Sequence, residues 1–171
     1  DSISQSSGLT PNGKHASRTV LEQIDRDIER TCIKHFSCHH KLDREDRHES
    51  LRRVLRAYSQ IDPDVGYCQG MNFIVAMFLT IGLSEEESFW LLVVVMNEEP
   101  YSLRELFGED MSGTHEVLFI AEKLVKQFLP KLYKHMHKEG IHHSMFVTQW
   151  LLTVYTSSFP FDLVSRVWDL F

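Results

Sequence analysis

An almost unbroken apolar run, MNFIVAMFLTI at residues 71 to 81, constrains the fold of this chain more than any other stretch. Glycine stands on both sides of it, at Gly70 and Gly82. The run is far shorter than the ~20 residues that a membrane-spanning helix requires. A helix of this composition is apolar on nearly all sides, so it must be buried on most of them. The sequence therefore predicts a central helix, Met71 to Ile81, that other elements surround.

Helical spacing elsewhere in the sequence predicts the surrounding elements. Apolar residues recur at intervals of three and four in most of the remaining segments, and no segment alternates cleanly over a useful length. We expect an all-α fold, a layered multi-helix bundle of about seven to eight helices. The predicted helices cover residues 20–30, 51–60, 71–81, 89–96, 117–128, 131–139, 146–155 and 161–171, with a loop over 31–44.

The valine-rich segment 89–96 is ambiguous, because β-branched residues also favour strands. Ser84 and Glu87 in front of it form the S-x-x-E pattern of a capping box. This cap and the length of the segment favour a helix.

Length, composition and charge bound the class of protein. With 171 residues and 43% hydrophobic residues, the chain suits one domain with a substantial core. A formal net charge of −6 argues against a nucleic-acid partner, which generally needs a basic face. Three cysteines, an odd and small number, argue against a secreted disulfide framework and favour a reducing, cytoplasmic setting.

The two ends of the chain differ in character. Residues 1–17 are rich in Ser, Gly, Pro and Asn and are predicted to be a flexible leader, so that the domain covers 18–171. The last apolar stripe, in residues 161–171, runs to the final residue without a helix-ending signal. We expect the natural domain to continue beyond it.

A cluster with metal-ligand chemistry occurs in the predicted loop, at Cys32, Cys38, His39 and His40. Its Cys-x5-Cys-His-His spacing is not a standard zinc spacing, so we predict no metal site. A metal-dependent enzyme that uses this loop is an alternative, which elemental analysis would exclude by finding no bound metal. The sequence contains none of the common phosphate-cradling or hydrolase motifs.

Residues 24 to 31, IDRDIERT, end a predicted helix with Arg30. The simplest interpretation is structural, since a cation at a helix C-terminus, paired with Asp27 three residues earlier, is common. The functional alternative is a guanidinium that projects from a rigid helix, steered by Asp27, and neutralises charge on phosphoryl oxygens during transfer. Taken alone, this stretch favours the structural interpretation.

Residues 67 to 71, YCQGM, also allow two interpretations. In the first, they form a turn before the apolar helix, and Gln69 is merely solvated. In the second, the Gln69 amide accepts a hydrogen bond from a water molecule while donating to a phosphate oxygen. Gly70 would then let another backbone approach closely. The residues by themselves leave both interpretations open.

Taken together, these stretches resemble the TBC domain, the catalytic domain of GTPase-activating proteins for Rab GTPases. The family's I-x-x-D-x-x-R-T pattern matches Ile24, Asp27, Arg30 and Thr31. Its Y-x-Q-G-M pattern matches Tyr67, Gln69, Gly70 and Met71. Its S-x-W-x-L-T pattern matches Trp150, Leu152 and Thr153, with Thr148 in place of the usual serine. The closing RVWDLF is similar too, and the motifs stand in the family's order over residues 20–171.

The resemblance implies a two-lobed, TBC-like architecture and a mechanism with two fingers supplied in trans. Arg30 would stabilise the charge of the transition state, and Gln69 would position the attacking water in place of the GTPase's own glutamine. The chain would bind no cofactor of its own, since GTP and magnesium would belong to a Rab-family GTPase in its GTP-bound state. The resemblance assigns supporting or GTPase-contacting roles to Asp27, Thr31, Tyr67, Gly70, Met71 and Asn72. It assigns core packing to Ile24, Trp150, Leu152 and Thr153.

The chain departs from the family pattern in three places. After the arginine the family usually reads R-T-F-P-x-H, whereas this chain reads RTCIKH and lacks the proline that would fix the loop. The family's N-terminal G-I-P segment and the helices that follow W-D-x-F are also missing. The chain therefore resembles the central part of a TBC domain, with both ends truncated and the C-terminal part incomplete.

Two hypotheses of function follow. The leading one is a GTPase activator, which assists the turnover of another enzyme and has none of its own. The alternative is a catalytically quiet module that docks a GTPase or another membrane-traffic partner. In either case we expect a cytoplasmic protein without a membrane segment, recruited to membranes through its GTPase partner or through regions that this chain lacks. The motifs do not encode which Rab is the substrate.

Overall fold

The computed structural model describes residues 13–31, 44–108 and 111–171. Within these ranges the chain forms nine helices and no strand, which confirms the all-α class. One of them, a four-residue helix over residues 104–107, was not predicted from the sequence. The helices are α1 Gly13–Arg30, α2 Arg44–Ile61, α3 Met71–Thr80, α4 Glu85–Asn97, α5 Arg104–Phe107, α6 Ser112–Phe128, α7 Pro130–Lys138, α8 Ser144–Leu152 and α9 Phe161–Trp168.

The central helix α3 is buried as its composition predicted. It packs against α1, α2 and α4, and Met71, Ile74 and Val75 are fully buried. On another side, the Phe78 ring meets the Trp168 ring of α9 edge to face, with 5.5 Å between the centroids. Since α3 is clamped on several sides, its N-terminal end is a rigid support for the residues that precede it.

Several helix boundaries differ from the predicted ones. Helix α1 begins at Gly13 rather than at residue 20, so residues 13–17 of the proposed leader are helical. Residues 1–12 lie outside the described ranges, as does 32–43, which holds most of the predicted loop. The capping box of α4 is present, with the Ser84 hydroxyl and the Glu87 carboxylate each bonded to the other's backbone N–H. This confirms a helix for the valine-rich segment.

Helix α8 ends three residues earlier than predicted, at Leu152. The chain then reverses through Val154 and Tyr155, which both adopt left-handed backbone conformations, with φ of 44° and 66°. Such conformations are unfavourable for residues with a Cβ and persist where the surrounding structure enforces them. The reversal brings the end of α8 against the turn that precedes α3.

Helices α5 to α8 form a second group, in which α6 contacts α5, α7 and α8. This group leaves large apolar side chains exposed: Phe119, Phe128 and Met145 each keep 60% or more of their surface open. In the part of the chain that the structure describes, no helix is both long and apolar enough to span a membrane.

Candidate functional site

The last turn of α1 turns a carboxylate inward and a guanidinium outward. Ile24 and Ile28 are fully buried on its core side, and Asp27 beside them is 4% exposed. Arg30, the last residue of the helix, keeps 69% of its side chain exposed. Thr31 follows with its hydroxyl donating to the backbone carbonyl of Asp27 at 2.6 Å. The helix therefore ends with a buried acid next to an exposed cation.

The Asp27 carboxylate links Arg30 to the second motif. Its Oδ1 pairs with Arg30 Nη2, and its Oδ2 accepts a hydrogen bond from the Tyr67 hydroxyl at 3.0 Å. Burial, reinforced by the charge of Asp27, raises the pKa of Tyr67 well above its ordinary value. The phenol therefore stays protonated and keeps donating to the carboxylate.

The second motif forms a tight turn that leads into α3. The Met71 N–H donates to the Cys68 carbonyl at 3.2 Å, and the Phe73 N–H donates to the Gly70 carbonyl at 3.0 Å. Burial raises the pKa of the Cys68 thiol, while a hydrogen bond from the Gln69 backbone N–H lowers it. Between these anchored backbone groups, the Gln69 side chain lies exposed at the surface.

Gly70 allows a close approach, and the backbone that approaches belongs to α8 of the same chain. Gly70 is buried and has φ of 120°, a conformation that residues with a side chain rarely adopt. A Cβ at this position would overlap the carbonyl oxygen of Leu152 and lie 3.1 Å from its Cβ. The third motif of the sequence therefore braces the backbone immediately after Gln69.

Asn72 ties the same turn to the end of α1. Its side-chain Nδ2 donates to the Thr31 hydroxyl at 2.7 Å, and its Oδ1 accepts from the Gly70 backbone N–H at 3.0 Å. Asn72 and Thr31 are each 2% exposed. Since Tyr67 also bonds to Asp27, the turn and the helix end are joined at two points.

Arg30 and Gln69 meet at one surface groove. The groove has a volume of about 520 Å³ and is lined by Gln23, Arg26, Asp27, Glu29, Arg30 and Gln69. Both of the predicted finger residues are exposed there, on neighbouring elements that the buried polar contacts hold together. The arrangement presents a guanidinium and an amide at the same groove.

The residues predicted to support or contact a GTPase are all buried. Asp27, Thr31, Tyr67, Met71 and Asn72 are at most 5% exposed, and Gly70 is buried as well. Met71 lies in the core, where its sulfur accepts from the Cys68 N–H at 3.3 Å. Their burial favours the supporting role over direct contact with a partner.

The residues predicted to pack in the core fall into two classes. Ile24 and Thr153 are fully or almost fully buried, and Leu152 packs against the main core. Trp150 is only half-buried and belongs to a separate aromatic cluster, with ring centroids 4.9 Å from Phe146 and 5.2 Å from Phe159.

Three residues of the groove were not predicted from the sequence: Gln23, Arg26 and Glu29. Gln23 and Arg26 precede Arg30 by seven and four residues, so they share its face of the helix. That spacing is the signal by which they could have been found.

The predicted cluster of Cys32, Cys38, His39 and His40 lies outside the described residues. Among residues 13–31, 44–108 and 111–171, no group of three or more His, Cys, Asp or Glu side chains could hold a metal ion.

Comparison with known proteins places these motifs in a family context. The sequence profile of the Rab-GTPase-TBC domain matches residues 2–171. The chain is 42% identical over 147 residues to the GTPase-activating protein GYP5 of Saccharomyces cerevisiae, covering 86% of this chain and 15% of that protein. It is 37% identical over 172 residues to the Rab GTPase-activating protein eat-17 of Caenorhabditis elegans, covering 99% of this chain and 18% of that protein.

A solved structure agrees with the sequence matches. The crystal structure of the Chlamydomonas flagellar RabGAP TBC domain superposes with a TM-score of 0.69 at 29% identity. The match covers 95% of this chain and 54% of that one. The chain thus spans about half of the solved domain and 15% to 18% of the length of these two curated relatives.

Proposed function

The chain belongs to the Rab-GTPase-TBC domain family, and from that premise we propose that it accelerates GTP hydrolysis by a Rab-type GTPase. The observation that carries the proposal is the groove at which Arg30 and Gln69 lie exposed together. The two side chains supply the two functions that a GTPase site can receive from outside: a cation for phosphoryl charge and an amide for the attacking water.

Arg30 suits the first function because much of its hydrogen-bonding capacity is unused. Its Nη2 pairs with Asp27, and its Nε donates to the Arg26 carbonyl at 3.3 Å. Toward the described residues its Nη1 makes no hydrogen bond and Nη2 uses one of its two N–H groups, so three of the five N–H groups remain for phosphoryl oxygens. An arginine supplied in trans contributes on the order of 10³–10⁵ in rate.

Gln69 suits the second function because its backbone is fixed while its side chain is exposed. Its amide oxygen would accept a hydrogen bond from the attacking water, and its amide NH₂ would donate to an oxygen of the nucleotide or the GTPase. The nucleotide and its magnesium ion belong to the GTPase, and the GTP-bound form is the state that offers a γ-phosphate. The chain therefore supplies positioning and charge, and it binds no nucleotide of its own.

Stimulated GTP hydrolysis across a panel of GTP-loaded Rab proteins tests the proposal. Alanine at Arg30 should reduce stimulation by about 10³-fold or more, and alanine at Gln69 by about 10²-fold. Arg18→Ala and Gln60→Ala are matched controls, since both residues are exposed and neither lines the groove. If a Rab is stimulated and both finger variants stimulate it equally well, the two-finger mechanism is wrong.

The binding-module alternative has a different signature in the same experiment. It predicts that the chain binds a GTP-loaded Rab while hydrolysis stays at the intrinsic rate for every member of the panel. That result would replace the proposed activity with a docking function.

A further inference from the structure

We infer that Asn72 is a positioning residue that sets the place of Gln69 relative to Arg30, through a hydrogen-bonded bridge to Thr31. The inference rests on the proposed function and extends it, because the two exposed side chains account for the chemistry but not for their relative position. Gln69 itself makes no hydrogen bond to the end of α1 among the described residues. Its position must therefore come from the groups around it.

The bridge begins at the backbone of α1. Thr31 Oγ1 donates its proton to the Asp27 carbonyl at 2.6 Å, which leaves its lone pairs free to accept. Asn72 Nδ2 donates to this oxygen at 2.7 Å across 41 residues of sequence. Asp27 is also the residue whose carboxylate pairs with Arg30. The Asn72 amide is thus bonded to the segment that orients the arginine.

The other end of the bridge is the peptide bond that follows Gln69. Asn72 Oδ1 accepts from the Gly70 N–H at 3.0 Å, and this N–H belongs to the same planar peptide unit as the Gln69 carbonyl. Fixing the plane restricts the ψ angle of Gln69 and hence the direction of its side chain. Leu152 also packs closely against Gly70, where an added Cβ would overlap its carbonyl oxygen.

Helix stability accounts for only one of the two hydrogen bonds of Asn72, the one that satisfies the N-cap N–H of α3. Asn72 is the second residue of α3, and its side chain lies among buried apolar groups at 2% exposure. Asparagine is a weaker helix former than leucine or methionine, and burying an amide is unfavourable unless its hydrogen bonds are made. One of its described hydrogen bonds is local, to the N–H of the N-cap residue Gly70, and the other leaves the helix and reaches Thr31. The side chain therefore joins the start of α3 to the end of α1.

Thr31→Val breaks the bridge with little change of shape. We expect kcat for stimulated hydrolysis to fall by about 10-fold to 10²-fold, the loss expected from a small misplacement of a catalytic group. The KM for the GTPase should stay within about twofold, because neither Thr31 nor Asn72 reaches the surface. Thr31→Ser, which keeps the hydroxyl, should restore kcat. Thr114→Val is the matched control, since Thr114 is equally buried and donates to a backbone carbonyl at 2.9 Å.

A double-mutant cycle separates positioning from general damage. If the bridge acts through Gln69, Thr31→Val should have no further effect on kcat in a Gln69→Ala background. An equal loss in both backgrounds overturns the inference, as does a variant that raises KM while leaving kcat unchanged. Should Thr31→Val fail to fold, Asn72→Ser is the second variant, because its shorter side chain cannot span both partners and should give the same split between kcat and KM.

Amide hydrogen exchange tests the bridge without any GTPase. The Gly70 N–H should exchange about 10-fold faster in Thr31→Val than in the wild-type chain, and at the wild-type rate in Thr114→Val. Unchanged exchange at Gly70 overturns the bridge even if hydrolysis is stimulated. If no Rab is stimulated but Gly70 responds as expected, the proposed function fails while the bridge stands.

Discussion

Two clusters in this protein are built from the same three groups, but they hold their arginines differently. In each, an aspartate accepts from a tyrosine hydroxyl and pairs with an arginine. The finger cluster consists of Asp27, Arg30 and Tyr67. The staple cluster consists of Asp62, Arg104 and Tyr58.

The clusters differ in which helix supplies the arginine and in how many of its nitrogens bond to the aspartate. Arg104 places Nε and Nη2 on the two oxygens of Asp62, at 2.8 and 3.0 Å, and so joins α5 to the end of α2. Arg30 pairs through one nitrogen with an aspartate of its own helix. Its side chain is 69% exposed, against 41% for Arg104. An arginine bound bidentately across the fold stabilises it, whereas Arg30, with one nitrogen on Asp27 and one on the Arg26 carbonyl, is oriented within its own helix.

Lysine at each arginine should separate the two roles most strongly. Lysine keeps the charge but replaces the planar set of donors with a single point charge. An arginine finger contributes ~10³–10⁵ in rate, and we expect Arg30→Lys to reduce stimulated hydrolysis on the order of 10²–10³-fold. Its free energy of unfolding should hardly change. Arg104→Lys should stimulate hydrolysis normally and unfold at a lower urea concentration than the wild-type chain, because it loses the bidentate pair with Asp62. Stimulated hydrolysis and urea unfolding measure both. A kinetic defect in Arg104→Lys as large as that in Arg30→Lys would remove the distinction.

Alanine at Gly70 should disturb the neighbourhood of the finger cluster without changing any of its three residues. The added Cβ would collide with the Leu152 backbone, and the φ of 120° at Gly70 is unfavourable for alanine in any case. We expect a loss of about 3 kcal/mol from strain and overpacking, and a fall in kcat of about 10²-fold as Gln69 moves. Gly140→Ala is the control, since Gly140 also has positive φ but no atom within 4 Å of its Cβ position. Equal destabilisation of the two variants would show that conformation, and not the Leu152 contact, decides.

Replacing each tyrosine by phenylalanine tests how many hydrogen-bond donors each aspartate keeps when the tyrosine hydroxyl is removed. Asp27 Oδ2 has the Tyr67 hydroxyl as its described partner, so Tyr67→Phe leaves a buried acceptor unpaired and should cost about 2 kcal/mol. Asp62 Oδ2 accepts from Tyr58 at 3.2 Å but also from Arg104 at 2.8 Å. Tyr58→Phe should therefore cost only about 1 kcal/mol. Chemical unfolding of both variants gives the order, and the reverse order would contradict this account of the two carboxylates.

The smallest of these effects should be seen in the staple cluster, in how the free energy of unfolding changes with pH in acid. Hydrogen bonding from Arg104 holds the pKa of Asp62 below its ordinary value. The stabilisation is therefore present above the unfolded pKa of about 4 and is lost as pH falls through the lower folded pKa. Asp62→Asn should flatten the pH dependence of unfolding below about pH 4, by about 1 kcal/mol, because Arg104 is partly exposed. An unchanged pH dependence in this variant would show that the pair contributes nothing.

Local pattern was enough to predict most of the fold. The run at 71–81 is apolar on nearly every face and shows no strand alternation, and such a run is best accommodated as a buried helix. The capping box at Ser84 and Glu87 is a short-range signal, and it formed as expected. The predicted start of α1 was wrong because residues 13–17 are mostly polar and show no apolar periodicity. The end of α8 was wrong because the left-handed turn at Val154 and Tyr155 runs against local preference.

The sequence by itself determined the helical class, the burial of α3, and the identity of the two residues that we propose as fingers. The first two follow from short-range chemistry, the apolar period and the capping signals, whereas Arg30 and Gln69 were identified by the resemblance of their motifs to the TBC family. Only the tertiary structure decided that the two residues share a groove, that Leu152 occupies the space beside Gly70, and that Asn72 bonds to Thr31. The partners in these contacts are separated by tens of residues. No periodicity or motif encodes which of them meet, because that depends on how the helices pack around α3.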